Sequence, residues 1–192
     1  SVEWFINHTM EAVLRITFHG GGEPTLEYTT IKASVTLVEK LKGEKGAKYF
    51  ITTNGTTPRT FMEWMMNNGF KISISMDGPP KIQNRNRPFS DGGTSSDIVE
   101  ENIRYLVSEK YPFTVRITYS PTDDIVSIIR YFGDLGVKSL HLEPLFPYGR
   151  DYKTVEFGQR SQYDVYSPIA TELLNSFLIA MDICKEYRIK IY

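Results

Sequence analysis

Two periods of hydrophobicity alternate along this chain. Short runs rich in β-branched and aromatic residues recur at Val13–Phe18, Lys48–Thr53, Lys71–Met76, Phe113–Tyr119 and Val137–Leu142. Each leads into a turn containing Gly, Pro, Asn or Asp, the punctuation expected of strands. The segments between them carry apolar residues three or four apart, the spacing of one helix face. Ile31, Val35, Val38 and Leu41 form the first such stripe. Thr57-Pro58 reads as an N-cap followed by the first helical residue, ahead of Phe61, Trp64 and Met65, with Gly69 as the stop. Ser96 or Asp97 opens a helix striped by Val99, Ile103, Leu106 and Val107. Asp123 or Asp124 opens another, with Ile125, Ile128, Ile129, Phe132 and Leu135, ended by Gly136. A last helix is expected from about Ser167-Pro168 to about Tyr187, and Arg188–Tyr192 reads as the start of a sixth strand. Asp77 to Ser95 reads as the longest irregular stretch, of the length that is often functional in a compact domain.

Repeated strand-then-helix units predict an α/β fold with parallel strands joined by right-handed crossovers. A barrel and an open doubly wound sheet both satisfy the pattern. No linker divides the chain, so residues 1–192 read as a single domain. In parallel α/β folds the C-terminal strand ends share one face, and ligands bind there. The segments following the five strands are His19–Thr25, Asn54–Thr56, Asp77–Pro80, Ser120–Thr122 and Glu143–Pro147. Small and polar residues thus converge on one rim.

Bulk properties narrow the classes. Of 192 residues, 41% are hydrophobic and 23% charged, which is ordinary for a folded domain and argues against disorder. With 22 basic and 23 acidic residues the net charge is −1, and no basic tract marks a nucleic-acid partner. No run approaches the roughly 18 apolar residues of a membrane helix, and the start, Ser1-Val2-Glu3-Trp4-Phe5, has no signal-peptide pattern. A cytoplasmic domain is the expectation. One cysteine, Cys184, excludes an internal disulfide and any metal site needing two thiolates; it reads as a buried structural thiol.

The glycine run after the first strand holds the most chemical information. Gly20, Gly21 and Gly22 leave the backbone free of Cβ atoms, so a ligand can approach closely. The Glu23 carboxylate beside them suits an ammonium group, and Pro24 stiffens the exit. A plain turn with an acidic residue is the competing explanation. Neither a phosphate loop nor a dinucleotide fingerprint has this spacing.

The segment Phe18-His19-Gly20-Gly21-Gly22-Glu23-Pro24-Thr25-Leu26 resembles the GGEP motif of radical S-adenosyl-L-methionine (SAM) enzymes. Thr53-Asn54-Gly55-Thr56, Ile74-Ser75-Met76-Asp77-Gly78-Pro79 and Leu142-Glu143-Pro144-Leu145 follow in the family's order. The ordered set is similar to SPASM-type maturases, in particular anaerobic sulfatase-maturating enzymes. The resemblance implies a partial (β/α)6 TIM-like barrel of parallel strands with the first βα unit missing. It implies that Gly21, Gly22 and Glu23 bind the SAM amino group, that Ser75 contacts SAM, that Arg87 lies near its carboxylate, that Asn54 lies near the ribose, and that Leu145 packs on or bonds the adenine. It implies a [4Fe–4S] cluster held by three thiolates, SAM cleaved by one electron to a 5′-deoxyadenosyl radical, hydrogen abstraction from a peptide or protein substrate, and a flavodoxin or ferredoxin reductant. No catalytic or metal-ligating side chain is assigned within this chain.

Two departures stand out. Gly20 fills a place where the family commonly has a polar residue such as glutamine, and the C-x-x-x-C-x-x-C motif and SPASM cysteines are absent. The chain therefore reads as an excised central part, inactive alone. Two other readings compete. One is another (β/α)-barrel enzyme with eight units, using Glu23, Asp77, His141 and Glu143 as rim acids and bases. The other is a non-catalytic SAM- or peptide-binding module. A zinc site of His19, His141 and Glu143 is a remote further option. Asp123-Asp124 reads as a helix cap, and Met62, Met65, Met66 and Trp64 as core filling.

Overall fold

In the computed structural model, which describes residues 2–120, 123–144 and 168–192, six strands form one sheet. They are β1 (Val13–Phe18), β2 (Gly46–Thr53), β3 (Lys71–Ser75), β4 (Phe113–Tyr119), β5 (Ser139–Pro144) and β6 (Lys190–Ile191). All neighbouring pairs are parallel, in the order β1-β2-β3-β4-β5-β6. A doubly wound sheet requires the strand order to reverse at a switch point. Here the order never reverses, and β1 does not pair with β6, so the sheet is the wall of an unclosed barrel.

The helices are α1 (Val2–His8), α2 (Tyr28–Leu41), α3 (Arg59–Asn67), α4 (Pro80–Asn86), α5 (Ser96–Ser108), α6 (Ile125–Asp134) and α7 (Pro168–Tyr187). Several boundaries depart from the sequence reading. β5 runs two residues later than expected, so Glu143 and Pro144 belong to the strand instead of following it. The Asp77–Ser95 stretch is not wholly irregular, because α4 occupies its first half with Pro80 in the first turn. Pro58, not Thr57, stands at the N-cap of α3; the Pro58 carbonyl accepts from Phe61 and Met62 N–H, and Thr57 is buried. α1 is only seven residues long; it sets Ile6 into the core, and the Lys45 ammonium donates to the Ile6 and Thr9 carbonyls at 2.8 Å. The stops behave as expected: Gly69 and Gly136 have φ of 68° and 88°, the left-handed conformation that glycine adopts without cost.

Alternation along the strands sorts their side chains. Leu14, Ile51, Ile72, Ile74, Val115, Ile117 and Leu140 are buried against the helices, together with Val35, Met62, Met65, Ile103, Ile128 and Phe132. The residues between them face the other way, onto the concave side. The apolar core is therefore the layer between sheet and helices, with Cys184 in it.

Candidate functional site

The concave face is polar. Strand register sets its residues in rows: Arg15 with Lys48, Thr17 with Phe50 and Lys71, Thr52 with Ser73 and Thr114, Ser75 with Arg116 and His141, and Thr118 with Glu143. Barrel interiors are ordinarily packed with branched aliphatic side chains. Hydroxyls, guanidinium groups and imidazole in their place line a surface that can receive a polar ligand. A cavity of about 950 Å³ opens at the N-terminal strand ends, lined among others by Phe50, Lys71, Ser73, Thr114, Ser139 and Lys190. The glycine run lies at the opposite, C-terminal end, where parallel α/β folds bind ligands.

At that end Glu23 ties two strands together. Its Oε1 accepts from Thr25 N–H at 3.0 Å, Thr25 Oγ1 at 2.7 Å and Thr53 Oγ1 at 2.7 Å. Among the described residues its Oε2 accepts only from Asn54 N–H, at 2.6 Å. A carboxylate has about four acceptor sites, so Oε1 is crowded while Oε2 keeps room for another donor. The same side chain caps the short 3-10 turn Pro24–Glu27. Gly20, Gly21 and Gly22 are exposed, none has positive φ, and a Cβ on any of them would meet nothing within 4 Å. The turn itself therefore does not require glycine, and the run leaves its backbone uncovered by Cβ atoms.

Asn54 uses its side-chain oxygen inside its own loop, accepting from Thr56 N–H at 3.0 Å and Thr56 Oγ1 at 2.8 Å. Its Nδ2 group takes no part in these bonds. The loop is also pinned from below. Gly55 has φ of 81°, and a Cβ there would lie 2.8 Å from Ile74 and 2.9 Å from Val99. Buried Asn102 of α5 donates both amide hydrogens, to the Gly55 and Thr57 carbonyls at 2.8 and 2.9 Å. The sequence reading missed Asn102, although a polar residue inside the Val99, Ile103, Leu106 stripe signals a buried bond.

Asp77 follows β3 and is buried. It accepts from Arg87 Nε and Nη2 at 2.9 and 3.1 Å, from Asn86 Nδ2 at 3.2 Å and from Thr118 N–H at 3.0 Å. Four donors around a buried carboxylate satisfy it as burial demands. They also occupy it, so Asp77 is not a free rim acid or base. Arg87 thus spends one edge of its guanidinium fork on Asp77 and keeps its Nη1 edge. Gln83 joins this corner, accepting from Asp77 N–H at 3.0 Å and donating to Ser95 Oγ at 3.1 Å.

Ser75 lies on the concave face beside Arg116. Leu145 lies outside the described residues. Among the described residues no group of three His, Cys, Asp or Glu side chains is placed to hold a metal, so His19, His141 and Glu143 do not form the conjectured zinc site. Asp124 caps α6 through Val126 and Ser127 N–H, and Asp123 pairs with Arg85 at 2.8 Å. Met62 and Met65 are wholly buried and Met66 and Trp64 pack against the core, as core filling requires. Burial pushes the Cys184 thiol up from its ordinary value. No helix among the described residues is long and apolar enough to cross a membrane.

Known proteins share this fold. The chain is 27% identical over 135 residues to the cysteine-type anaerobic sulfatase-maturating enzyme of Clostridium perfringens, an alignment covering 66% of this chain and 36% of that protein. It superposes on anSMEcpe with bound AdoMet with a TM-score of 0.80 at 22% identity, over 99% of this chain and 50% of that one. A domain of pyruvate-formate lyase-activating enzyme from Bacteroides vulgatus gives a TM-score of 0.59 at 17% identity, over 92% of this chain and 96% of that one. The chain thus spans about a third of the curated relative and half of the first solved structure. The profile of the Radical SAM superfamily matches residues 5–135, a match that takes in the glycine run, Glu23 and the Asp77 corner, and the chain belongs to that superfamily.

Proposed function

We propose that residues 1–192 are a radical SAM core fragment, the SAM-binding central part of an enzyme that modifies a peptide or protein, of the sulfatase-maturating kind. The single observation that carries the reading is the Glu23 carboxylate, fixed by three donors on Oε1 and open on Oε2, beside three glycines that the turn does not require. An ammonium group fits that opening as a charge-assisted hydrogen bond. Gly21 and Gly22 bring backbone alongside it. Ser75 and the Asn54 Nδ2 group offer hydroxyl and amide contacts, Arg87, its charge balanced by Asp77, keeps its Nη1 edge as a hydrogen-bond donor near the SAM carboxylate, and Leu145 is the adenine residue. SAM presents an ammonium, a carboxylate, a ribose and an adenine, so these partners match it group for group.

The residues present do not fit a [4Fe–4S] cluster. Such clusters need cysteine thiolates, and Cys184, the one cysteine, is buried in the helix layer with a raised pKa. In radical SAM enzymes the cluster supplies the electron that cleaves SAM. The contribution of this chain is to bind and orient SAM and to present the polar concave wall to the substrate. The peptide assignment is supported by a structure of anSMEcpe with bound AdoMet and Kp18Cys peptide, which this chain matches with a TM-score of 0.77. A flavodoxin or ferredoxin would be the reductant of the whole enzyme, with the cytoplasm its compartment.

Calorimetry of SAM binding tests the reading. Glu23→Gln keeps the shape and most hydrogen bonds but removes the charge facing the ammonium. The expected result is binding by the wild-type chain weakened about tenfold or more in the variant, from a charged hydrogen bond worth about 1.5–3 kcal/mol. Equal affinity in both proteins overturns the site.

A further inference from the structure

We propose that Arg116 is a second ligand-binding residue, a guanidinium on the concave wall that takes a carboxylate. Val115 and Ile117 on either side of it are wholly buried against the helices, so alternation turns Arg116 onto the concave face. Register sets it between Ser75 and His141, on strands that lie about 4.8 Å apart. A cation at the centre of a barrel strand stands where aliphatic packing is the rule.

Its own partner holds it weakly. Arg116 Nη2 reaches Glu143 Oε2 at 3.3 Å, and the two side chains are 40% and 58% exposed. Exposed single-bond pairs of this kind contribute little to stability. The contrast is Arg87, whose Nε and Nη2 grip a carboxylate that is 3% exposed. Arg87 is already neutralised; Arg116 is poised to exchange partners. An incoming carboxylate that meets it edge-on forms two parallel bonds, which Glu143 does not. Arg15, Lys48 and Lys71 on the same face add to the attraction for an anion.

Two molecules could bring that carboxylate. One is SAM itself through its amino-acid tail, in which case the inference rests on the SAM reading above. The other is an acidic side chain of the peptide substrate.

The test follows the Arg116 Nε–H resonance by NMR, assigned by its loss in Arg116→Gln. The wild-type chain is titrated with SAM, with decarboxylated SAM, and with the peptide acetyl-Gly-Glu-Gly-amide. Calorimetry of both proteins runs alongside. The expected result is a shift with SAM but not with its decarboxylated form, and an affinity for SAM about ten- to hundredfold lower in Arg116→Gln. A shift with the glutamyl peptide alone supports the residue and assigns the carboxylate to the substrate. If SAM binds neither protein, the SAM reading falls and the glutamyl peptide alone decides Arg116. An Arg116 resonance that no carboxylate probe moves overturns the inference, whether or not SAM binds elsewhere.

Discussion

The two sides of the sheet obey different rules although they are built from the same strands. Toward the helices, β3 presents Ile72 and Ile74 and β4 presents Val115 and Ile117, all 2% exposed or less. Toward the concave side the same strands present Ser73, Ser75, Thr114, Arg116 and Thr118. On the first side burial of apolar area holds the molecule together, at roughly 25 cal/mol per Å². On the second side the side chains are polar and partly exposed, and the bonds among them are few, such as Thr114 with Ser139 and Arg116 with Glu143. Stability and chemistry are therefore separated residue by residue along one strand. A substitution should affect folding on the helix side and binding on the concave side.

The largest effect is expected at Phe70, which is wholly buried and stacks on Phe18 and Tyr49 with ring centroids 5.8 and 5.3 Å apart. Phe70→Ala should lower stability by about 3–5 kcal/mol, read as a shift of the urea midpoint with unchanged slope. A loss under about 1 kcal/mol would mean that the helix-facing layer is not the main source of stability.

A middle-sized effect belongs to the helix layer at its edge. The Ser127 hydroxyl, with the Ser127 and Val126 N–H groups, holds the Asp124 carboxyl below its ordinary value. A carboxylate with a lowered folded-state pKa contributes its full stability above the unfolded value, about 3.9, and loses it as pH falls through the folded one. Asp124→Ala should therefore cost about 1 kcal/mol at pH 7, with the gap to wild type closing below about pH 4. A gap that persists undiminished at pH 2.5 would show that the cap acts through packing, not charge.

The smallest effect is expected on the concave wall. Ser73, halfway along β3, faces that side and sits in register with Thr52 and Thr114. Ser73→Ala should change stability by less than about 0.5 kcal/mol. A loss of several kcal/mol would show that the wall is a second core and would erase the distinction between the two faces.

The legible parts of the fold were those set by local rules. Strands β1 and β4 and the stops at Gly69 and Gly136 follow from residue type and spacing, because periodicity and left-handed glycine are properties of short segments. α1 and α4 were not legible. Neither carries a long apolar stripe, and both are held by contacts from elsewhere: Lys45 on α1, and the Asp77 corner on α4. At the site, Glu23 was legible as a charged residue beside glycines. That its carboxylate is fixed by Thr53 at the end of the next strand and by Asn54 just after it was not, because those residues lie about thirty positions away.

By itself the sequence determined the alternation of strands and helices, the GGEP turn with its carboxylate, and the lack of cluster cysteines, since each is written in residues adjacent along the chain. Only the tertiary structure decided that the strands run in unreversed order, that Arg87 is bound to Asp77, and that Arg116 stands beside Ser75. Those relations depend on register between strands tens of residues apart, and register is set by packing of the whole sheet against its helices.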